Sequence, residues 1–440
     1  MMPSVPPPPA PDGSVGVNPP GTVLILGTGQ AGFQVASSLR EERFDGRITL
    51  VGEEPEPPYQ RPPLSKAYLT GKADAKAVRL RPEKFFADHR LELRAGERAV
   101  RIDRAARRVV LASGEALAFD HLVLATGARN RALPVPGADL DGVMQLRTLG
   151  EAEELRQRLE RARQAVVVGA GFIGLEFAAV AAAAGVAVTV VEATDRPMAR
   201  SLSPEMSAFF RGAHERQDVR FVFGAMVVRV LGMEGGRATG VETADGRRFP
   251  ADLVLVGIGV VPNAELAAAA GLAVADGIVV DEHLLTSDPA ISAIGDCARY
   301  PCRFAALGAG LSRLESVQNA VDQGRCVAAR LAGRPAPYAA VPWFWSDQGP
   351  LKLQIAGLAT PHERAVLRGD PAAGGAFSVF CFRGDRLIGV ESVNRPLDHV
   401  LARKLLASGT ELTPEQAADA GFDLKAHAAA AAAAGAPRAA

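Results

Sequence analysis

Cysteine is scarce: 440 residues carry only Cys297, Cys302, Cys326 and Cys381, with no CxxC pair. Histidine is nearly as rare, with seven in the chain. Both shortages argue against a disulfide scaffold and against a Cys/His zinc site, so no metal ligand is assigned. Charge of one sign is also missing, since Lys+Arg and Asp+Glu each total 49. That balance disfavours a nucleic-acid binder working by bulk charge and a polybasic membrane anchor, and leaves room for a local basic patch. The first residues, MMPSVPPPPAPDGSVGVNPP, contain no basic n-region and no apolar h-region. A disordered Pro-rich tail over 1–20 is expected there, not a signal peptide, and the expected location is cytoplasmic.

One long apolar run needs explaining. Ala165 to Val191 is long enough to span a bilayer, interrupted only by Glu176 and Thr189. Glycines and a charge inside it fit a buried strand–turn–helix–strand better, because parallel sheets covered on both faces read as continuous apolar runs. No membrane contact is expected.

What is present is a repeated pattern. Thr22 to Leu26 is a short apolar strand that enters Gly27-Thr-Gly29-Gln-Ala-Gly32, then a helical segment, then the strand Arg47 to Gly52 closing on Glu53. A G-x-G-x-x-G in this strand–turn–helix–strand–acid setting is a dinucleotide fingerprint. Gly27 permits the tight turn, Gly29 lets a pyrophosphate approach the backbone, and Gly32 lets helix and strand pack closely. The helix N-terminus offers N–H groups to phosphate, and Glu53 can accept from a ribose. The pattern recurs at Ala165 to Val168, Gly169-Ala-Gly171-Phe-Ile-Gly174, a helix to Ala183, and a strand ending on Glu192. An acid at that strand end favours the free 2′-OH of NAD, while Arg196 and Arg200 close by leave the preference open.

Two further segments follow: the strand His121 to Leu124 running into Ala125-Thr126-Gly127, and the stretch from Thr286 ending in Gly295-Asp296. With them the chain resembles the two-dinucleotide flavoprotein reductases. The resemblance implies an N-terminal fold holding FAD, with Asp296 at the ribitol chain, and an inserted fold holding NADH. It narrows with Pro58-Tyr-Gln-Arg61-Pro-Pro-Leu-Ser-Lys66, Trp343-Phe-Trp345-Ser-Asp347-Gln348 and Glu391-Ser-Val-Asn394-Arg395-Pro396. These segments are similar to the NADH:ferredoxin reductases of bacterial cytochrome P450 and Rieske oxygenase systems. The expected fold is α/β: two Rossmann-like domains in a glutathione-reductase-like FAD/NAD architecture, plus a C-terminal α+β domain. Expected boundaries are 21–148 with 257–335 for FAD, 149–256 for NAD, 336–425 for the C-terminal domain and 426–440 for an Ala-rich tail.

The resemblance also assigns residues. Lys66 reaches the flavin region and pairs with Glu176, and Trp345 lies beside the flavin ring. Further FAD contacts are Ala31, Arg61, Ala99, Arg129, Arg147 and Val317. NADH contacts are Ile173, Glu192, Arg200, Gly259 and Glu315, besides the second glycine turn. An acidic [2Fe–2S] ferredoxin is the implied transient partner, docking on Arg81, Arg313, Arg325 and Arg403. Cys297-x4-Cys302 has the spacing of the redox disulfide of glutathione-reductase-like enzymes. There the pair follows the first FAD fold, where this chain has Tyr59 to Lys66, so both thiols are expected to be structural. Two rival functions share the architecture: a rubredoxin- or quinone-type NADH oxidoreductase, and a slow redox-responsive interaction protein resembling apoptosis-inducing factor.

Overall fold

A computed structural model describes residues 20–233, 235–305, 310–373 and 375–435. The expected tail up to residue 19 and residues 436–440 lie outside the described residues. The chain forms two compact units. One comprises the chain up to Gln60 with Arg79–Arg129 and Val261–Ala340; the other comprises Arg61–Val78, Asn130–Val260 and the chain from Val341 onward.

The first unit is built on a five-stranded parallel sheet ordered Ile291–Ala293, His121–Leu124, Thr22–Leu26, Arg47–Gly52, Leu91–Ala95. Thr22–Leu26 is its central strand, with Leu24 opposite Thr49 on one side and Leu122 on the other. Val23 to Leu26 and Leu122 to Leu124 are all buried, as expected for strands covered on both faces. The helix Gln30–Glu41 leaves the C-terminal end of the central strand, and the helix Val317–Leu331 packs against it through Gly324, where a Cβ would lie 2.9 Å from Gln34 Cβ.

The second unit repeats the arrangement. Its parallel sheet runs Arg220–Val222, Ala187–Val191, Gln164–Val168, Leu253–Val256, Val143–Met144. The apolar stretch 165–191 resolves into the strand Gln164–Val168, the helix Phe172–Ala183 and the strand Ala187–Val191. Among the described residues, no helix is long and apolar enough to cross a membrane. The fingerprint helix has no polar face because Gly174, Leu175, Phe177, Ala178, Ala179 and Ala181 are buried, and Glu176 with them.

The same unit holds a five-stranded antiparallel sheet ordered Trp343–Gln348, Leu351–Gly357, Arg386–Val393, Phe377–Arg383, Arg364–Arg368. Phe380, Phe382 and Val390 form its core with Leu401 and Leu405 of the helix Pro396–Ser408. The alanine-rich stretch starts as the helix Leu424–Gly435, and Ala428 is buried in that same core. Residues 61–78 and 130–148 lie in this second unit and not with the first sheet. The ion pair and hydrogen bonds of Lys66, Ser65 and Tyr68 to Glu176 and Glu153 show what holds 61–78 there.

Candidate functional site

In the first unit the glycine turn separates packing from binding. Gly27 has φ +117°, and a Cβ on it would overlap the Ala125 carbonyl. A Cβ on Gly32 would overlap the carbonyl of Gly27 and come 3.1 Å from Ile25 Cγ2. At Gly29 nothing lies within 4 Å, so no protein group requires a glycine there. That bare position opens the helix Gln30–Glu41, which has no side-chain cap. Thr148, Ser203, Ser316 and Thr413 each cap the helix that follows them. An uncapped N-terminus with open space above it fits a phosphate group.

The other first-unit residues are each held by nearby partners. Gly295, at φ +73°, would place a Cβ 3.1 Å from that of Ala31, and its N–H donates to Gln323 Oε1 at 2.7 Å. Asp296 is the residue after Gly295 in the short turn Gly295–Cys297, and Val317 opens the helix packed alongside. Thr126 Oγ1 donates to the Asn263 carbonyl at 2.7 Å, and Asn263 Nδ2 returns a bond to the Thr126 carbonyl at 2.9 Å. Gly127 is left-handed at φ +65°. Arg129 is held by Asn263 Oδ1 at 2.9 Å and Glu265 at 2.7 Å. Glu53 is exposed at the strand end, 3.7 Å from Arg98, the residue before Ala99. Glu315 accepts from Arg313 at 2.7 Å.

The second turn has the same logic. A Cβ on Gly169 would meet the Gly257 carbonyl at 2.6 Å, and one on Gly174 the Gly169 carbonyl at 2.5 Å. Gly171 has only the Gly257 carbonyl at 3.8 Å, and it begins a helix without a side-chain cap. Ile173 is 42% exposed on the first turn of that helix, unlike the buried Gly174 and Leu175 that follow it. Glu192 Oε2 accepts from the Ala170 N–H at 2.6 Å and Oε1 from the Thr194 N–H at 2.8 Å, which fixes the carboxylate beside the turn. Arg196 is committed elsewhere, donating to the carbonyls of Leu202 and Ala199 and to Ser207 Oγ. Arg200 lies at Gly259, where a Cβ would be 3.3 Å from a guanidinium nitrogen.

Glu176 is 3% exposed and fully partnered. Oε2 meets Lys66 Nζ at 2.6 Å and accepts from Ser65 Oγ; Oε1 accepts from Ser346 Oγ at 2.6 Å. Lys66 is 20% exposed and also donates to the Pro62 carbonyl at 3.1 Å. A buried carboxylate with one cation and two hydroxyls has the partners its desolvation demands. Arg61 donates to the Arg147 carbonyl at 2.6 Å, and the Arg147 N–H donates to Glu151 at 2.8 Å. Trp345 is half-buried, 5.5 Å from the Trp343 ring.

The family comparison fits this geometry. A model for the pyridine nucleotide-disulphide oxidoreductases matches residues 21–324, and one for the reductase C-terminal domain matches 343–428. The chain belongs to the pyridine nucleotide-disulphide oxidoreductases. Within them it groups with the ferredoxin reductases. It is 57% identical to a rhodocoxin reductase of Rhodococcus erythropolis, over 92% of this chain and 93% of the relative. Among solved structures it resembles the ferredoxin reductase for the CYP199A2 system of Rhodopseudomonas palustris, at TM-score 0.90 and 55% identity, covering 93% of this chain and all (100%) of that one. It also resembles the covalent putidaredoxin reductase–putidaredoxin complex, at TM-score 0.90 and 41% identity, covering 94% of this chain and 99% of that one.

Three features of this reductase depart from the sequence reading or extend it. Arg313 is no docking group: its side chain is 10% exposed and sits between Asp276 and Glu315. Arg325 is 61% exposed, Arg81 lies 5.5 Å from the Phe85 ring centre, and Arg403 lies 4.8 Å over the Trp343 ring. All four cysteines are free thiols, and burial pushes the Cys297 and Cys302 thiols up, away from the reactive thiolate. The hydroxyls of Ser65 and Ser346 on Glu176 escaped notice. Ser65 could have been suspected from its place beside Lys66, whereas nothing in the sequence marks Ser346.

Proposed function

We infer that the protein is an NADH-dependent flavoprotein reductase that passes electrons through FAD to a [2Fe–2S] ferredoxin serving a cytochrome P450 or Rieske oxygenase. The observation that carries it is the duplicated turn, in which packing demands glycine at Gly27 and Gly32, and at Gly169 and Gly174, but not at Gly29 or Gly171. Two bare, uncapped helix N-termini suit two pyrophosphates. Bound FAD supplies the conversion of a two-electron hydride donor into single-electron transfers.

The chain's residues bind and orient. In this reading the Gly29 turn, Ala31, Glu53, Ala99, Thr126, Arg129, Asp296 and Val317 hold FAD. The Gly171 turn, Ile173, Glu192, Arg200 and Gly259 hold NADH. The Glu192 carboxylate is fixed beside the turn, and Arg196 turns three of its N–H donors to Leu202, Ala199 and Ser207 and away from the turn; both support NADH over NADPH. Glu176 holds the Lys66 ammonium in one place. One relative is named a rhodocoxin reductase, and one solved structure is a covalent complex of putidaredoxin reductase with putidaredoxin.

Steady-state turnover tests the reading. NADH should reduce ferricyanide rapidly and support cytochrome c reduction only when a [2Fe–2S] ferredoxin is added, with NADPH far poorer. Slow turnover with every acceptor, or a colourless preparation that FAD cannot reconstitute, would overturn it.

A further inference from the structure

The segment that follows Glu192 makes a loop, residues 193–203, before the helix Pro204–Glu215. It carries Arg200 and touches the second glycine turn, since the Met198 N–H donates to the Ala170 carbonyl at 2.9 Å. Met198 has φ +52°, a left-handed conformation that a methionine adopts only when its surroundings impose it. Arg196 braces the loop from inside.

The outer braces come from the C-terminal domain. Gln348 Nε2 points at Met198 Sδ at 3.6 Å, and its Oε1 faces His214 Nε2 at 2.7 Å, which fixes the amide's orientation. Thr360 Oγ1 donates to the Arg200 carbonyl at 3.0 Å. Glu391 Oε1 accepts from the Ser203 N–H at 2.8 Å and Oε2 from Ser203 Oγ at 2.5 Å. Glu391 is fully buried, and among the described residues no ion pair compensates its carboxylate. A buried carboxylate is costly to maintain for packing alone. Here both oxygens are directed at the residue that ends the loop and caps the next helix.

We propose that Gln348, Thr360 and Glu391 of the C-terminal domain are positioning residues for the dinucleotide, holding the loop 193–203 so that Arg200 and the Gly171 turn meet NADH in register. This rests on the second turn being the NADH site. It gives the C-terminal domain a part in nucleotide binding that its sequence, with no nucleotide motif, does not suggest.

The test uses the holoenzyme with NADH and ferricyanide, comparing Thr360→Val and Glu391→Leu with the wild type. Losing the Thr360 bond should raise KM for NADH about fivefold, the scale of one neutral hydrogen bond, and losing Glu391 about tenfold or more, with kcat within twofold. FAD content should be unchanged. If Glu391→Leu does not fold, Thr360→Val decides alone, because its hydroxyl is removed at constant shape. KM within twofold of wild type, or kcat falling with KM constant, would overturn the proposal. A wild type that does not oxidise NADH would overturn instead the reading of the site.

Discussion

Alanine at Gly29 and alanine at Gly32 differ by one methyl group each and should fail in opposite ways. At Gly29 the backbone has φ −72° and ψ −170°, which any residue adopts, and a Cβ meets nothing within 4 Å. The protein should tolerate Gly29→Ala with a loss of about 1 kcal/mol or less, the difference between glycine and alanine at a helix N-cap. The methyl would instead occupy the space a phosphate needs. Losing one charge-assisted bond there costs about 1.5–3 kcal/mol, so FAD should bind about tenfold to a hundredfold more weakly. At Gly32 the methyl overlaps the Gly27 carbonyl, a backbone atom that cannot rotate away. Helix and strand must then separate, at about 3 kcal/mol, the upper range for overpacking. Urea unfolding of the flavin-free protein measures the first quantity and quenching of flavin fluorescence on titration the second. Equal destabilisation by the two substitutions, or unchanged FAD affinity in Gly29→Ala, would refute the division between binding and packing glycines.

Two other outcomes follow from buried carboxylates. Lys66→Met should cost about 3 kcal/mol by leaving Glu176 without its cation, and Glu176→Gln in the same chain should recover most of it, since a neutral isosteric pair replaces a buried ion pair at little net cost; denaturant titration of the single and double variants checks this, and a double variant no better than the single contradicts the pairing. Burial pushes the Glu391 carboxyl up to about 7 from an ordinary 4.5, with Glu205 reinforcing the rise and Ser203 and Arg196 opposing it. A carboxyl raised in the folded state stabilises fully below its unfolded pKa and loses that contribution as pH climbs through the folded one, here about 3 kcal/mol between roughly pH 4.5 and 7. The stability of Glu391→Gln relative to wild type should therefore increase from about pH 4.5 to about 7 and level off above it in urea titrations, and a flat difference across that range would exclude Glu391 as the titrating group.

Local pattern was enough for much of this protein. The two glycine fingerprints, the strands on either side of them and the acids Glu53 and Glu192 all lie within about thirty residues of one another in each repeat, the span of a βαβ unit. Hydrophobic runs of strand length, broken by glycine turns, determine parallel strands and their connecting helix without knowledge of the rest of the chain. That is why the stretch 165–191 could be read as strand, helix and strand despite being apolar enough to resemble a membrane span.

Tertiary structure decided what the charged groups do. Glu176 finds Ser65 at a separation of 111 residues and Ser346 at 170, and Ser203 finds Glu391 at 188. No periodicity encodes such pairs, because they depend on which faces of distant elements pack together. The same holds for the arginines: Arg196 and Arg313 read as available cations in sequence, and folding surrounds them with carbonyls and carboxylates. The sequence by itself determined two nucleotide folds, because backbone geometry and glycine spacing are local. Only the packed chain decided which carboxylates are buried, which cations answer them, and that a C-terminal sheet reaches the loop of the second fold, because desolvation and side-chain geometry exist only once the elements are assembled.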